Sequence, residues 1–190
     1  MSPSNYVPTK VFFTKGIGKH QDEMISLELA LRNAQIEDFI YNKFDESGIF
    51  PPACKQIYKD DGLKQLKKGQ VIDCIFVKEQ TNEPNRLIAV SIGLAIPSYN
   101  GGVQECGYIL GYNKEGMNAD EIGDYVEDRA ATNLASKLGL EFDLDTAWNE
   151  REQYFKASGK IFKTSNYTQS AEGDKNGLWT SVLVAAIYLP

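Results

Sequence analysis

The stretch from Asn118 to Gly139 constrains the architecture most, because it reads as one long helix in a chain otherwise rich in β-forming runs. Asn118 with Glu121 three residues later forms a capping box. Ile122, Val126, Ala130, Leu134 and Leu138 then recur every fourth residue, and Gly139 supplies the stop. A second helix opens at Asp22, with Met24, Leu27, Leu31 and Ala34 at helical spacing and Glu23 and Glu28 on its other faces. Between and around these helices, residues 11–14, 39–44, 71–78, 87–96 and 107–113 read as strands; the run 87–96 is nearly continuous in apolar residues, as a central strand is. Lys15-Gly16-Ile17-Gly18 reads as a loop, residues 63–66 as a short helical segment after Asp60-Asp61-Gly62, and 97–102 as a loop. Residues 149–156 read as a charged helix. The runs 161–169 and 179–188 flank Asn176-Gly177, a pair suited to a tight turn, and so read as a hairpin. This order lacks the strict βαβ alternation of a parallel sheet. It implies an α+β fold of antiparallel sheets layered with helices, one domain over residues 1–190.

Composition narrows the function classes. The 190 residues carry a net charge of −6 with scattered lysines, which excludes a nucleic-acid stripe and fits a small cationic partner in an acidic pocket. Cys54, Cys74 and Cys106 are odd in number and widely spaced, so they imply neither a disulfide framework nor a zinc site. The acidic run Glu121, Asp124, Glu127, Asp128 reads as the wet face of the long helix, and the lone His20 as a solvated side chain, so no metal is expected. With neither a signal segment nor an apolar run of membrane-spanning length, a cytoplasmic protein without a membrane partner is the expectation.

The chemistry-bearing segment is Phe44-Asp45-Glu46-Ser47-Gly48-Ile49-Phe50-Pro51-Pro52-Ala53-Cys54. A serine after an acidic residue and before a glycine is placed to attack the carbonyl of the residue before it, an N-to-O acyl shift. The resulting ester eliminates and hydrolyses to a pyruvoyl group, a ketone that forms a Schiff base with an amine. On this reading Ser47 is the precursor of a built-in cofactor; otherwise there is none. Pro51 and Pro52 stiffen the downstream side, while Gly48 leaves local freedom.

Several runs together resemble the pyruvoyl-dependent arginine decarboxylases. They are Lys10-Val11-Phe12-Phe13-Thr14-Lys15-Gly16-Ile17-Gly18, Leu27-Glu28-Leu29-Ala30-Leu31-Arg32-Asn33-Ala34 and Thr81-Asn82-Glu83-Pro84-Asn85-Arg86-Leu87-Ile88-Ala89. To these add Asp124-Tyr125-Val126-Glu127-Asp128, Lys156-Ala157-Ser158-Gly159 and the run from Ser170 to Thr180. The resemblance implies an αββα sandwich assembled as homotrimers or hexamers, with sites between subunits and arginine or agmatine as the small cationic partner.

It also marks two departures. The family's cleavage stretch, Ser-Ser-Ile-x-Pro-Pro in one form, aligns its second serine with Gly48, which has no hydroxyl; a Glu46-Ser47 junction is the alternative scissile pair. The family's Gly-Tyr-Ile-Ser-Glu strand aligns its proton-donating glutamate with Gly111, a loss expected to cost roughly 10²–10⁴-fold in rate. The substrate-binding positions carried over are Glu28, for the guanidinium, Ile49, and an asparagine matched by Ile40 or Asn42 depending on where two extra residues between Ile36 and Ile49 fall. The implied function is a decarboxylase homologue impaired or silent in catalysis. A different class, a non-catalytic ligand-binding or regulatory paralogue that assembles with an active decarboxylase, is the second reading.

Overall fold

A computed structural model describes residues 6–98, 105–149 and 154–190. In chain order the elements are β1 (Lys10–His20), α1 (Glu23–Ala34), β2 (Ile40–Lys43), β3 (Ser47–Phe50), β4 (Lys55–Gln56), α2 (Lys59–Leu63), β5 (Val71–Thr81) and β6 (Leu87–Pro97). They continue with β7 (Gly107–Glu115), α3 (Ala119–Lys137), α4 (Leu144–Ala147), β8 (Trp148–Asn149), β9 (Tyr154–Ala157), β10 (Lys160–Glu172) and β11 (Trp179–Leu189). One sheet runs β2-β5-β11-β1-β4, the other β3-β7-β6-β10-β9-β8. All neighbours are antiparallel except the short edge strands β2 and β4, which run parallel to β5 and β1.

Strand periodicity sorts the side chains into layers. Val11, Phe13, Ile75, Val77, Val182 and Val184 of the first sheet meet Phe50, Val90, Ile92, Leu94 and Ile109 of the second in a continuous apolar core. The alternate residues Phe12, Ile72, Cys74, Phe76 and Leu183 turn outward and are covered by Ala30, Leu31 and Ala34 of α1. On the far side Ala130, Ala131, Leu134 and Ala135 of α3 cover Ala95 and Phe162. The result is the expected αββα sandwich of antiparallel sheets flanked by helices.

Both helices begin where their caps predict. The Asp22 carboxylate accepts from the Ile25 N–H at 3.0 Å. Asn118 accepts from Asp120 and Glu121, while Glu121 reaches back to the Asn118 N–H. Met24, expected on the apolar face of α1, is instead 78% exposed, and Ser26 and Ala30 take the contact because α1 lies against the backbone of β1. That close approach also corrects the loop expected at Lys15-Gly16-Ile17-Gly18, which is strand. A Cβ at Gly16 would lie 2.1 Å from the Ala30 carbonyl oxygen and one at Gly18 2.0 Å from that of Ser26. The glycines are there for packing rather than turning.

Within residues 44–54, Ser47–Phe50 form the strand β3, because β7 offers an open edge. Three other expectations fail for tertiary reasons. The ends of the stretch 149–156, expected to be helical, are strand, with β9 paired to β10 and to β8; residues 150–153 lie outside the described residues, as does most of the expected loop 97–102. The expected hairpin of β10 and β11 does not form. The two strands belong to opposite sheets, β10 beside β6 and β11 between β1 and β5. Gly173 exchanges hydrogen bonds with Asn85 and Arg86 of the β5–β6 crossover, so two corners that pass between the sheets pin one another. Gly177 does adopt positive φ (76°) in the turn. The helical turn expected at 63–66 lies earlier, in α2.

Candidate functional site

β3 is an edge strand, and its register fixes what each residue of the chemistry-bearing segment faces. Gly48 stands opposite Ile109 and Phe50 opposite Gly107, with Ile109 and Phe50 in the core between the sheets. Ser47 and Ile49, opposite Leu110 and Tyr108, leave the strand on the other face and are exposed. The Gly111 N–H donates to the Glu46 carbonyl at 2.5 Å. Residues 46 and 111, and hence 48 and 109, are therefore the hydrogen-bonded pairs, and the N–H and C=O of Ser47 point to the open sheet edge.

Beside this strand a cavity of about 600 Å³ opens between the sheets. Gly48 borders it, and a Cβ placed on Gly48 would meet no atom within 4 Å. Phe44, Ile75, Ile109 and Tyr188 supply apolar walls, and Ser47, Ile49 and Asp45 border the mouth. Asp73, only 8% exposed, accepts from Tyr6 Oη (2.9 Å) and from Asn42 Nδ2 (2.6 Å). Burial and the Asp73 carboxylate push the Tyr6 phenol well above its ordinary range, so Tyr6 stays a donor. Burial likewise raises Tyr188. β2 sets Asn42 directly beside Asp73 of β5 in parallel register.

The other carried-over positions are distributed unevenly. Asn42, not Ile40, belongs to the cavity: Ile40 is 53% exposed at the start of β2. Glu28 lies exposed on α1, on the outer side of the first sheet, and is not brought to the cavity within one chain. It acts on Tyr41 in the same layer, whose phenol is raised chiefly by burial and also by Cys74, Glu28 and Glu37. Gly111 sits one turn of the pleat from Ile109, facing the first sheet. A Cβ there would lie 2.4 Å from Val77 Cγ2 and 3.6 Å from the Cβ of Glu46. Sequence reasoning missed Asp73 and Tyr6. Asp73 is a lone acid inside the apolar run 71–77, a signal that could have marked it.

A second cavity, of about 430 Å³, lies beneath α3 between Asp124, Asp128, Asp145, Trp148 and Phe155. It corrects the reading of the acidic run as simply wet. Glu127 is partly buried and accepts from Thr164 Oγ1 (2.5 Å) and Asn166 Nδ2 (2.6 Å). Burial first, then Asp124 and Glu127, raise the Asp128 carboxyl above its ordinary value. Among the described residues no group of three His, Cys, Asp or Glu side chains is arranged to hold a metal ion, and no helix is long and apolar enough to cross a membrane.

A two-sheet sandwich with a cavity at the β3 edge defines the class, and sequence comparison gives the family. The profile of the pyruvoyl-dependent arginine decarboxylase family matches residues 10–190. A relative from Chloroherpeton thalassium, named a probable pyruvoyl-dependent arginine decarboxylase, is 52% identical over 97% of this chain and 99% of its own length. The pyruvoyl-dependent arginine decarboxylase 2 of Methanosarcina acetivorans is 46% identical over 96% and 97%. The chain therefore belongs to the pyruvoyl-dependent arginine decarboxylase family. The cofactor that names this family does not fit residue 48 as it stands: glycine carries no hydroxyl to attack the Ser47 carbonyl and no Cβ from which a ketone could be made.

Proposed function

We propose that this chain is a family member that keeps the sandwich and its cavity but is not self-processed at residues 47–48 and does not turn over arginine at the family's rate. The observation that carries the reading is the direction of Gly48. Of the β3 positions bordering the cavity, residue 48 is the one on the inter-sheet face, opposite Ile109, and it is the one without a side chain. Cleavage at Glu46-Ser47 is the shifted alternative. Three features weigh against it: Ser47 leaves the strand on the opposite face, the Glu46 carbonyl is engaged by the Gly111 N–H, and a one-residue shift reverses every side chain of a strand. The missing carboxylate at Gly111 points the same way.

What remains is a binding or regulatory protein for a small organic cation such as arginine or agmatine, acting in the cytoplasm as one domain. It assembles as a trimer or hexamer, either with itself or with an active paralogue. A trimer would also give Glu28, remote from the cavity of its own chain, a neighbouring site to serve.

Intact mass under denaturing conditions, before and after incubation, tests the reading together with a carbonyl reagent. The natural chain is expected to stay whole and unreactive. Gly48→Ser, whose side chain enters open space, is expected to yield two fragments split between residues 47 and 48, the second carrying a ketone. A natural chain that splits at Glu46-Ser47 with a reactive ketone would overturn the proposal.

A further inference from the structure

Away from the β3 cavity, both sheets end on one side in long strands that are mostly unpaired there. β1 meets β4 only at Lys10 and Val11, and β10 meets β9 only from Lys160 to Phe162. Among the described residues no further strand joins β1 or β10 on this side. The two bare edges lie over one another, with Phe13 stacked on Tyr167 at 3.7 Å between ring centres. Open edges of this length are templates on which another strand can form.

The ladder with β6 fixes which groups of β10 are bare. The Ile161 carbonyl accepts from the Ser98 N–H, and the Gly173 N–H donates to the Arg86 carbonyl, so the odd-numbered residues turn their peptide groups toward β6. Those of residues 164, 166, 168, 170 and 172 therefore face outward. The last three of these carbonyls are each taken by a side chain. Lys15 Nζ donates to the Thr168 carbonyl at 3.0 Å, Gln169 Nε2 to that of Ser170 at 3.1 Å, and Lys19 Nζ to that of Glu172 at 3.4 Å. On β1 the Val11 carbonyl accepts from the Ile57 N–H, so there the odd-numbered residues face outward, and the Ile17 N–H donates to Asn33 Oδ1 of α1 at 3.0 Å.

The spacing matches on the two strands. Lys15 and Lys19 continue the face of β1 that carries Val11 and Phe13 toward the second sheet, four residues apart like Thr168 and Glu172. Both lysines are exposed, so burial does not account for them. Two copies brought together at this edge would also set these cations against one another.

From this we propose that Lys15 and Lys19, helped by Gln169 and Asn33, block this open end of the sandwich against a strand of a second copy, so that copies of this chain meet only through other faces.

Hydrogen exchange and sedimentation on the full chain test it. In the natural protein the outward amides of Thr168, Ser170 and Glu172 are expected to exchange at least about a hundredfold faster than the inward amides of Tyr167, Gln169 and Ala171. Lys15→Met with Lys19→Met removes both donors at similar length. It is expected to raise the weight-average mass about twofold or more as concentration rises, with the outward amides becoming slow. Lys15→Arg with Lys19→Arg keeps the donors and should keep the natural mass. Ser170→Pro added to the methionine variant removes an N–H that belongs to no ladder bond, and should return the natural mass. A methionine variant of natural mass, a gain in mass that Ser170→Pro does not reverse, or outward amides already slow in the natural protein would each overturn the proposal. Should circular dichroism show the double variant unfolded, Lys15→Met and Lys19→Met made singly are read in the same way.

Discussion

Restoring a glutamate at residue 111 should be far costlier than restoring a serine at residue 48, and the difference can be worked from the packing. At Gly111 the first side-chain atom would approach Val77 Cγ2 to 2.4 Å, more than 1 Å inside an ordinary carbon contact. Val77 is 1% exposed and β-branched, so it has neither space nor an alternative rotamer to yield into. Overpacking of this kind costs about 1–3 kcal/mol. A carboxylate started into the inter-sheet core without a cationic partner adds about 1–3 kcal/mol more. Gly111→Glu is therefore expected to lose about 2–6 kcal/mol, a fall in melting temperature of about 4–24 °C for a chain of this length. Gly48→Ser meets nothing within 4 Å and removes a strand glycine, so before any cleavage the intact variant is expected to be neutral or to gain up to about 0.5 kcal/mol.

Val77→Ala alone should cost about 2 kcal/mol in lost burial and cavity. Combined with Gly111→Glu it should relieve the overlap, so the double variant falls short of the summed costs by at least about 1 kcal/mol. Urea unfolding followed by tryptophan fluorescence on the four proteins of this cycle, with Gly48→Ser beside them, measures all of these. Additive costs at 77 and 111, or a Gly111→Glu protein within about 1 kcal/mol of the natural one, would show that Val77 does not occupy the place of the missing acid.

The helix cap, the acidic face of α3 and the buried thiols each lead to a further expected outcome. Asn118→Ala removes the side-chain acceptor of the α3 capping box while keeping the backbone N–H that Glu121 accepts from, and should lower stability by about 1 kcal/mol, seen as a melting-temperature drop of about 2–4 °C. The Asp128 carboxyl is raised in the folded state, so it destabilises once ionised. Its penalty is absent below the unfolded value near 3.8 and develops as pH rises through the higher folded value. Asp128→Asn should thus raise the melting temperature at pH 7 and not at pH 3. Burial lifts the Cys54 and Cys74 thiols to about 12, leaving little thiolate at pH 8. A thiol reagent should titrate at most one of the three cysteines, the partly exposed Cys106, in the folded protein and all three in denaturant.

The helices were written locally. Asp22, the Asn118–Glu121 box and the fourfold row from Ile122 to Leu134 act within one or two turns of chain, and the structure places both helices where those signals stand. Strand identity was likewise legible wherever apolar residues alternate or run together, as in β5, β6 and β11. The layered α+β class follows from their order. So did the suspicion attached to residues 48 and 111, because the absence of a hydroxyl and of a carboxylate is covalent fact.

Tertiary structure alone decided the rest. Whether Gly16 turns or packs depends on a helix arriving from elsewhere, and whether β10 and β11 pair depends on a glycine corner meeting the β5–β6 crossover from another part of the chain. The site is the sharpest case. Asp73, Tyr6 and Asn42 come from three separate segments, and the face that Gly48 and Ser47 present is set by the partner strand that β3 finds. Period-two alternation shows which neighbours share a face, but only the long-range pairing of β3 with β7 determines which face is turned to the cavity.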